Sequence, residues 1–381
     1  MDRRDLDRFA QPIVDVYNEL EQDILTNIAK ILSKNKDILE SDPESYKVLM
    51  MENLGGLSRE NLKVIRDKSG LTNSEINKAL HNAGVRGIKE TDDELKELFK
   101  RGADLAEIKP INDSPQVLAI LTAYQNQAKE TLNLTNAALI ENADKAYKSI
   151  INKTVMDVQV GSKPGPQALR STINQWAEKG IPALIDSSGR EWGVEGYVRT
   201  VINSTTNNVV NEMQDERMKE HGIDLVEISS HFGARPLCAP YQGRVFSLEP
   251  DHPKYPYIGN TSIGEPAGLF GINCGHIKYP FVDGISRKSY EPYPEKENNK
   301  QYEESQKQRY HERQIRKAKT RERMLLEAGD EEGAKQAAQL VRNRQGSMRK
   351  FIKDSGRTRR YDREQIFVSS SSGQQQATTP L

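Results

Sequence analysis

The sequence has little of what marks a secreted protein, a membrane protein or a compact enzyme. It contains two cysteines in 381 residues, too few for a disulfide framework. No apolar run approaches the roughly 20 residues needed to cross a bilayer. The residues after Met1 are charged and no apolar stretch follows them, so the start does not resemble a signal peptide. We therefore expect a soluble protein with no membrane segment, made in a reducing compartment.

Apolar residues are also scarce. They make up 35% of the chain, against 29% charged residues, a balance that favours elongated helices or an assembly subunit over a compact enzyme of this size. The net charge is zero but unevenly distributed, because residues 287–364 hold 22 Lys and Arg against 14 Asp and Glu. The front of the chain is therefore acidic and its end is basic.

Apolar residues in the first third recur every three or four positions, which places them on one face of a helix of about seven turns. They are Leu6, Phe9, Ile13, Val16, Leu20, Ile24, Ile28 and Ile31. Thr72 and Thr91 each stand three residues before a glutamate, the spacing of a capping box that begins a helix. Gly84 and Gly102 are expected to end helices.

Ser114 followed by Pro115 is a strong helix start, and nothing interrupts the pattern before about Asn152. A helix so long, with so narrow an apolar stripe, needs a partner along much of its length. Further helices are predicted over residues 167–179, 194–220 and 331–353, and a charged helix is expected between residues 294 and 328.

The periodicity changes near residue 224, where residues 225–229 and 244–248 have the pattern of short strands separated by turns. The predicted fold class is mainly α, with elongated long helices, a small α+β module in the C-terminal half and a charged helical C-terminal extension. The predicted regions are a helical N-terminal part (1–160), a helical part of the module (161–223), a β-containing Cys/His part (224–284), the charged extension (285–365) and a disordered tail (366–381).

Both cysteines and three of the six histidines fall within residues 224–284. Three interpretations compete for His231, Cys238, Cys274 and His276. Cys274 and His276 would lie about 6.5 Å apart on one face of an extended segment, so the four could form a Cys2His2 zinc set. They could instead serve a metal-dependent nuclease or hydrolase, although no third group that would orient a histidine is evident. The interpretation we favour is structural: these side chains lock a loop-rich module with a thin core, and neither a metal nor another cofactor is needed.

The basic end of the chain has two possible uses. Contact with DNA phosphates, without sequence recognition, is one; a solvated helix face or docking on an acidic neighbour is the other. The residues concerned are Arg342, Arg344, Arg349, Lys350, Lys353, Arg357, Arg359, Arg360 and Arg363.

Six short motifs occur in one order between residues 168 and 279. They are Gly180-Ile181-Pro182, Asp186-Ser187-Ser188-Gly189-Arg190, Tyr197 with Val198-Arg199-Thr200, Ser230-His231-Phe232-Gly233-Ala234-Arg235-Pro236, Tyr241-Gln242-Gly243-Arg244-Val245 and Gly271-Ile272-Asn273-Cys274-Gly275-His276. In this order they resemble the phage minor capsid protein type 2 family, which is similar to the Mu-type head morphogenesis proteins. The chain departs from the expected pattern at Cys238, where many members have histidine, and this weakens a metal site built on histidine.

The resemblance implies a structural virion component with no catalytic residues, associated with the portal or the inner capsid and acting in head morphogenesis, with a role in DNA packaging. The partners it implies are the portal protein, the major capsid protein and double-stranded DNA. The location it implies is the virion, after assembly in the host cytoplasm. The family-motif cluster consists of His231, Arg235, Cys238, Gln242, Gly243, Asn273, Cys274 and His276.

Overall fold

A computed structural model describes residues 3–107 and 110–367. This part of the chain holds nine α-helices and five strands. The helices are α1 (Arg3–Leu32), α2 (Ile38–Ser41), α3 (Pro43–Glu52), α4 (Leu54–Lys100), α5 (Pro115–Gln159), α6 (Gly165–Lys179), α7 (Val194–Glu220), α8 (Glu295–Glu327) and α9 (Glu331–Ser355). The strands are β1 (Pro182–Ile185), β2 (Glu191–Gly193), β3 (Leu225–Ile228), β4 (Val245–Ser247) and β5 (Lys278–Phe281). The mainly α fold with a small sheet in the C-terminal half is confirmed.

Several predicted helix ends agree with the structure. Helix α7 begins and ends at the predicted residues, and α5 begins at Pro115 as predicted. Helix α4 ends two residues before Gly102, which has a left-handed φ of 96°. Ser114 stands at the start of α5, but its hydroxyl donates to Glu220 at the end of α7 instead of capping its own helix. The predicted disordered tail lies outside the described residues, apart from its first two positions.

The predicted helix boundaries at Thr72, Gly84 and Thr91 are wrong, because all three lie inside the 47-residue helix α4. Neither threonine caps a helix: the hydroxyl of Thr72 donates to the carbonyl of Lys68, and that of Thr91 to the carbonyl of Gly87. A hydroxyl bonded to the carbonyl four residues earlier is a common mid-helix arrangement. The capping-box spacing at these two positions is therefore coincidental.

Gly84 and Gly87 have a packing role instead of ending a helix. A Cβ at Gly84 would lie 2.6 Å from the sulfur of Met213, and one at Gly87 would lie 2.8 Å from a methyl of Val210. Both distances are shorter than real Cβ contacts, so a side chain at either glycine would force Met213 or Val210 to move. The helix tolerates glycine at these two positions because the approach buries apolar surface on both partners.

One hydrophobic core joins most of the helices. Its members include Ile24 on α1, Leu80 on α4, Tyr147 on α5, Val209 on α7 and Met324 on α8. Helix α5, expected to need a partner, packs along α4, α6 and α7 of the same chain. The predicted regions 1–160, 161–223 and 285–365 therefore share this core.

Two small sheets complete the fold. Strands β1 and β2 form an antiparallel hairpin, closed by Asp186, whose carboxylate accepts hydrogen bonds from the Ser188 hydroxyl, the Trp192 ring and the Arg190 and Ser188 amides. These bonds lower the pKa of Asp186 to about 2. The second sheet has the antiparallel order β4-β3-β5. Strands β3 and β4 were predicted, whereas β5 was missed because its four residues include Pro280 and show no alternation.

Basic residues of the C-terminal region pair with acidic residues of the front of the chain. Arg316 on α8 pairs with Glu195 on α7, and Arg363 lies 3.3 Å from Asp7 on α1. The basic end of the chain therefore docks on acidic residues of the same chain. In the part of the chain that the structure describes, no helix is both long and apolar enough to cross a membrane.

The close approach of α4 and α7 gives the first testable prediction. Gly87→Leu should lower the free energy of unfolding by about 1–3 kcal/mol, because the new side chain overpacks against Val210. Gly70→Leu, in the same helix but with open space around its Cβ, should leave stability unchanged or raise it by up to about 1 kcal/mol. Chemical denaturation of both variants measures the difference. Equal effects at the two positions would contradict the close approach.

Candidate functional site

Three of the four predicted Cys and His residues come together. The sulfurs of Cys238 and Cys274 and a ring nitrogen of His276 all lie within 4.8 Å of one another, and the three residues are only 1%, 3% and 1% exposed. They form what we call the Cys/His cluster. Cys238 is distant from the other two in the chain, and all three lie in irregular segments, so the cluster depends on the fold around it.

The turns on either side set the positions of the two cysteines. The Cys238 amide donates to the carbonyl of Arg235 at 2.9 Å, which closes a tight turn. Asn273, directly before Cys274, has a left-handed φ of 56° and is held from α7: Ser204 accepts its backbone N–H, and Thr200 accepts from its side-chain amide. Asparagine is among the residues that most readily adopt this conformation. The motif residue Asn273 therefore turns the chain toward the cluster.

Helix α7 also holds His276. The side-chain amides of Asn207 and Asn211 both donate to the His276 carbonyl, each at 3.1 Å, and the Asn211 oxygen accepts from the Lys278 amide. Both asparagines are buried. They bond the last cluster residue and the first residue of β5 to the helical body.

His231 does not join the three ligand atoms. Its ring stacks on that of His276, with centroids 4.3 Å apart and planes 28° apart. The side-chain oxygen of Gln242 accepts from the His231 amide at 3.1 Å and lies 3.5 Å from Nε2 of His276. Gln242 and His231 are therefore neighbours that orient His276, and the predicted four-residue set becomes a three-residue one.

The two thiols titrate as a pair. The pKa of Cys274 is held well below its usual range, because its sulfur accepts a hydrogen bond from Cys238 and lies 3.4 Å from Nδ1 of His276; burial opposes this effect. The same contact with Cys274, together with burial, raises the pKa of Cys238. Cys274 is therefore the first of the two sulfurs to become negative.

Arg235 and Gly243 complete the motif set. The Arg235 guanidinium donates to the carbonyls of Ile272 and Gly268, at 2.6 and 3.0 Å, and lies 3.7 Å from the Cys238 sulfur. It thereby joins the two loops that carry the cysteines. Gly243 has φ of 64°, and a Cβ there would lie 2.6 Å from the backbone leading to Pro292, so the chain before α8 passes directly over it.

Two polar residues that hold the module from outside were not predicted. Asn298 on α8 accepts from the Gly233 and Ala234 amides and donates to the Ala234 carbonyl. Glu227 on β3 accepts from the amides of Ser289 and Tyr290. Nothing in the local sequence distinguishes these residues from the many exposed Asn and Glu. Their role depends on contacts with residues about 60 positions away in the sequence.

The basic residues of the C-terminal end divide into two groups. Four are engaged inside the chain: Arg357 with Gln308, Arg359 with Glu364, Arg360 with Glu312, and Arg363 with Asp7. The others lie on α9, where Arg342, Arg349, Lys350 and Lys353 are exposed and Arg344 is half-buried. The most exposed positive charges of this region therefore lie on α9.

A second charged feature lies where α1, α7 and α8 meet, around a cavity of about 320 Å³. Glu21 lines it and accepts a hydrogen bond from the Ile181 amide at 3.1 Å. Burial, with Glu195 adding to it, raises the pKa of Glu21 to about 7, although the Ile181 bond and the positive charges of Arg316 and Lys317 oppose the shift. Glu21 therefore changes charge near neutral pH.

Comparison with known proteins places the chain in a family. The phage minor capsid protein 2 family matches residues 1–353. A structural protein of Lactococcus phage LL-H is 30% identical over 374 residues, which cover 93% of this chain and 99% of that protein. A structural protein of Lactococcus phage mv4 is 39% identical over 116 residues, which cover 30% of this chain and 94% of that protein. The chain belongs to the phage minor capsid protein 2 family. No solved structure shows significant similarity to it.

Glu21 gives a pH-dependent prediction. Its folded pKa of about 7 exceeds the ordinary value of 4.5, so the folded state takes up a proton that the unfolded state does not, and stability rises as the pH falls from 7 to 4.5. Glu21→Gln keeps the oxygen that accepts from Ile181 and removes the charge. It should stabilise the protein by about 1–3 kcal/mol at pH 8 and have little effect at pH 5. Thermal unfolding at both pH values measures this, and a stabilisation equal at both would contradict it.

Proposed function

We propose that this chain is a structural component of the phage head that lies at the portal or on the inner face of the capsid and acts in head morphogenesis. The observation that carries the proposal is the way the family-motif residues are used. Arg235 and Gln242 bond to backbone groups, His231 stacks on His276, and Asn273 donates to the Ser204 and Thr200 hydroxyls of α7. Their contacts fix the conformation of the module. A protein that must present a constant shape to other proteins needs such a fixed conformation.

The buried cluster favours this role over the alternative, a metal-dependent nuclease or hydrolase. Cys238, Cys274 and His276 are at most 3% exposed, so a substrate would have to displace the surrounding loops to reach them. The cluster of potential ligands that the described residues form includes no carboxylate that would act as a general base. We propose no catalytic role for the chain.

The portal protein and the major capsid protein are the proposed partners. Several apolar side chains of the module point to solvent, where a partner protein would bury them. They are Phe232, Leu237, Ile263 and Ile272. Packaged double-stranded DNA is a further proposed partner, through the exposed basic residues of α9, because such contacts need charge and no base recognition.

Purified particles of the phage that encodes this chain test the proposal. We expect mass spectrometry to find the protein in DNA-filled heads, at far fewer copies than the major capsid protein, and to find it crosslinked to portal or capsid peptides. A nonsense mutation in its gene should reduce the yield of filled heads. A protein absent from particles, or one whose loss leaves assembly intact, would contradict the proposal.

The proposed DNA binding has its own test. Neutralising Arg349, Lys350 and Lys353 to Gln should weaken binding of the full chain to DNA and reduce the slope of log K against log salt concentration by about 0.9 for each phosphate that is no longer neutralised. The matched control neutralises three exposed lysines of α4, Lys63, Lys89 and Lys96. Equal weakening in the two triple variants would show that α9 is not the contact surface.

A further inference from the structure

We propose that Cys238, Cys274 and His276 bind a zinc ion that joins the two loops of the β-containing module. This goes beyond the proposed role in the phage head, because it concerns how the module is held together. The ligands come from two segments, the turn after Arg235 and the segment between Asn273 and β5. A metal ion shared by them would link parts of the chain 36 residues apart in sequence.

The distances fit a tetrahedral ion. With Zn–S bonds of about 2.3 Å and Zn–N bonds of about 2.1 Å, a sulfur and a nitrogen that share a tetrahedral zinc lie about 3.6 Å apart. The Cys274 sulfur lies 3.4 Å from Nδ1 of His276, and no pair among the three ligand atoms exceeds 4.8 Å. Small rotations of the side chains would bring all three atoms to bonding distance.

The surroundings of His276 select the nitrogen that would bind. Nε2 faces the side-chain oxygen of Gln242 at 3.5 Å, and Nδ1 faces Cys274. A proton on Nε2 can be donated to Gln242, which leaves the Nδ1 lone pair directed at the sulfurs. Metal-binding histidines generally donate their other ring N–H to an oxygen in this way. The stacked ring of His231 holds the imidazole in this orientation.

The charges also agree with a zinc site. Two thiolates balance the charge of Zn²⁺, and soft sulfur with imidazole is a ligand set that zinc prefers. Arg235 lies 3.7 Å from the Cys238 sulfur, where its N–H can donate to a metal-bound thiolate. Three protein ligands leave the fourth coordination position to a small ligand such as water.

The module has a small hydrophobic core, so a bound ion would add to its stability. Between β4 and β5, residues 248–277 contain no strand, and the apolar cluster that underlies them has ten buried members, two of which are the cysteines themselves. A structural zinc contributes folding free energy directly. The ion would therefore stabilise a segment that has few ladder hydrogen bonds of its own.

Metal analysis of the full-length chain, purified without chelators from zinc-supplemented cells, tests the proposal. We expect about one zinc per chain, and replacement by Co²⁺ should give the absorption band of cobalt–thiolate bonds. Cys274→Ser and His276→Gln should each lose the metal while keeping their helical circular dichroism. His252→Gln is the matched control: His252 lies in the same module but accepts from the Lys254 and Tyr255 amides, so this variant should keep its zinc.

Each outcome decides the proposal. Wild-type protein with no zinc and no cobalt–thiolate band overturns it, as does a Cys238–Cys274 disulfide in protein kept under reducing conditions. If the cluster variants fail to fold, the zinc content and the cobalt spectrum of the wild-type chain decide alone. Recovery in phage particles is measured separately, so a zinc-free chain that enters heads contradicts only the metal site, and a zinc-containing chain absent from heads contradicts only the proposed function.

Discussion

The structure depends on helix α7, which serves two different parts of the protein at once. One side carries Val198, Val209 and Met213 into the main core, and this helix packs against α4 at Gly84 and Gly87. Another side carries Asn207 and Asn211, which bond to the backbone just before strand β5. The side-chain N–H groups of both residues are paired with the His276 carbonyl, and leaving these buried donors unpaired would cost free energy. The asparagines therefore fix the register between the helical body and the module.

The chain forms a hydrophobic core although it has few apolar residues. Long helices place their few apolar side chains in one shared core, and the polar helices α8 and α9 are attached partly by charge. Arg170 on α6 forms two hydrogen bonds with Asp330, the residue before α9, and Arg316 pairs with Glu195. Paired charged hydrogen bonds of this kind have fixed geometry and are stronger than neutral ones. Ion pairs of both polarities thus attach the C-terminal helices to the rest of the chain.

The fold could be predicted from the sequence where a local signal and the tertiary packing agree. The ends of α7 follow from its flanking glycines, and the start of α5 from Pro115. The prediction failed at Gly84, where a residue that usually ends helices serves close packing against α7, a contact that only the fold reveals. The family motifs located the Cys/His cluster but not its geometry, because the stacking of His231 and the role of Asn298 depend on residues distant in the chain. The family match over residues 1–353 extends beyond the motifs, which lie within residues 168–279.

The most direct test of this account is hydrogen exchange on the purified chain and on an Asn211→Ala variant. If the polar side of α7 holds the module, the variant should lose amide protection in β5 and in the segment that carries Cys274, while α1 and α5 keep theirs. Unchanged protection in the module, or an equal loss throughout the chain, would contradict the central role of this helix.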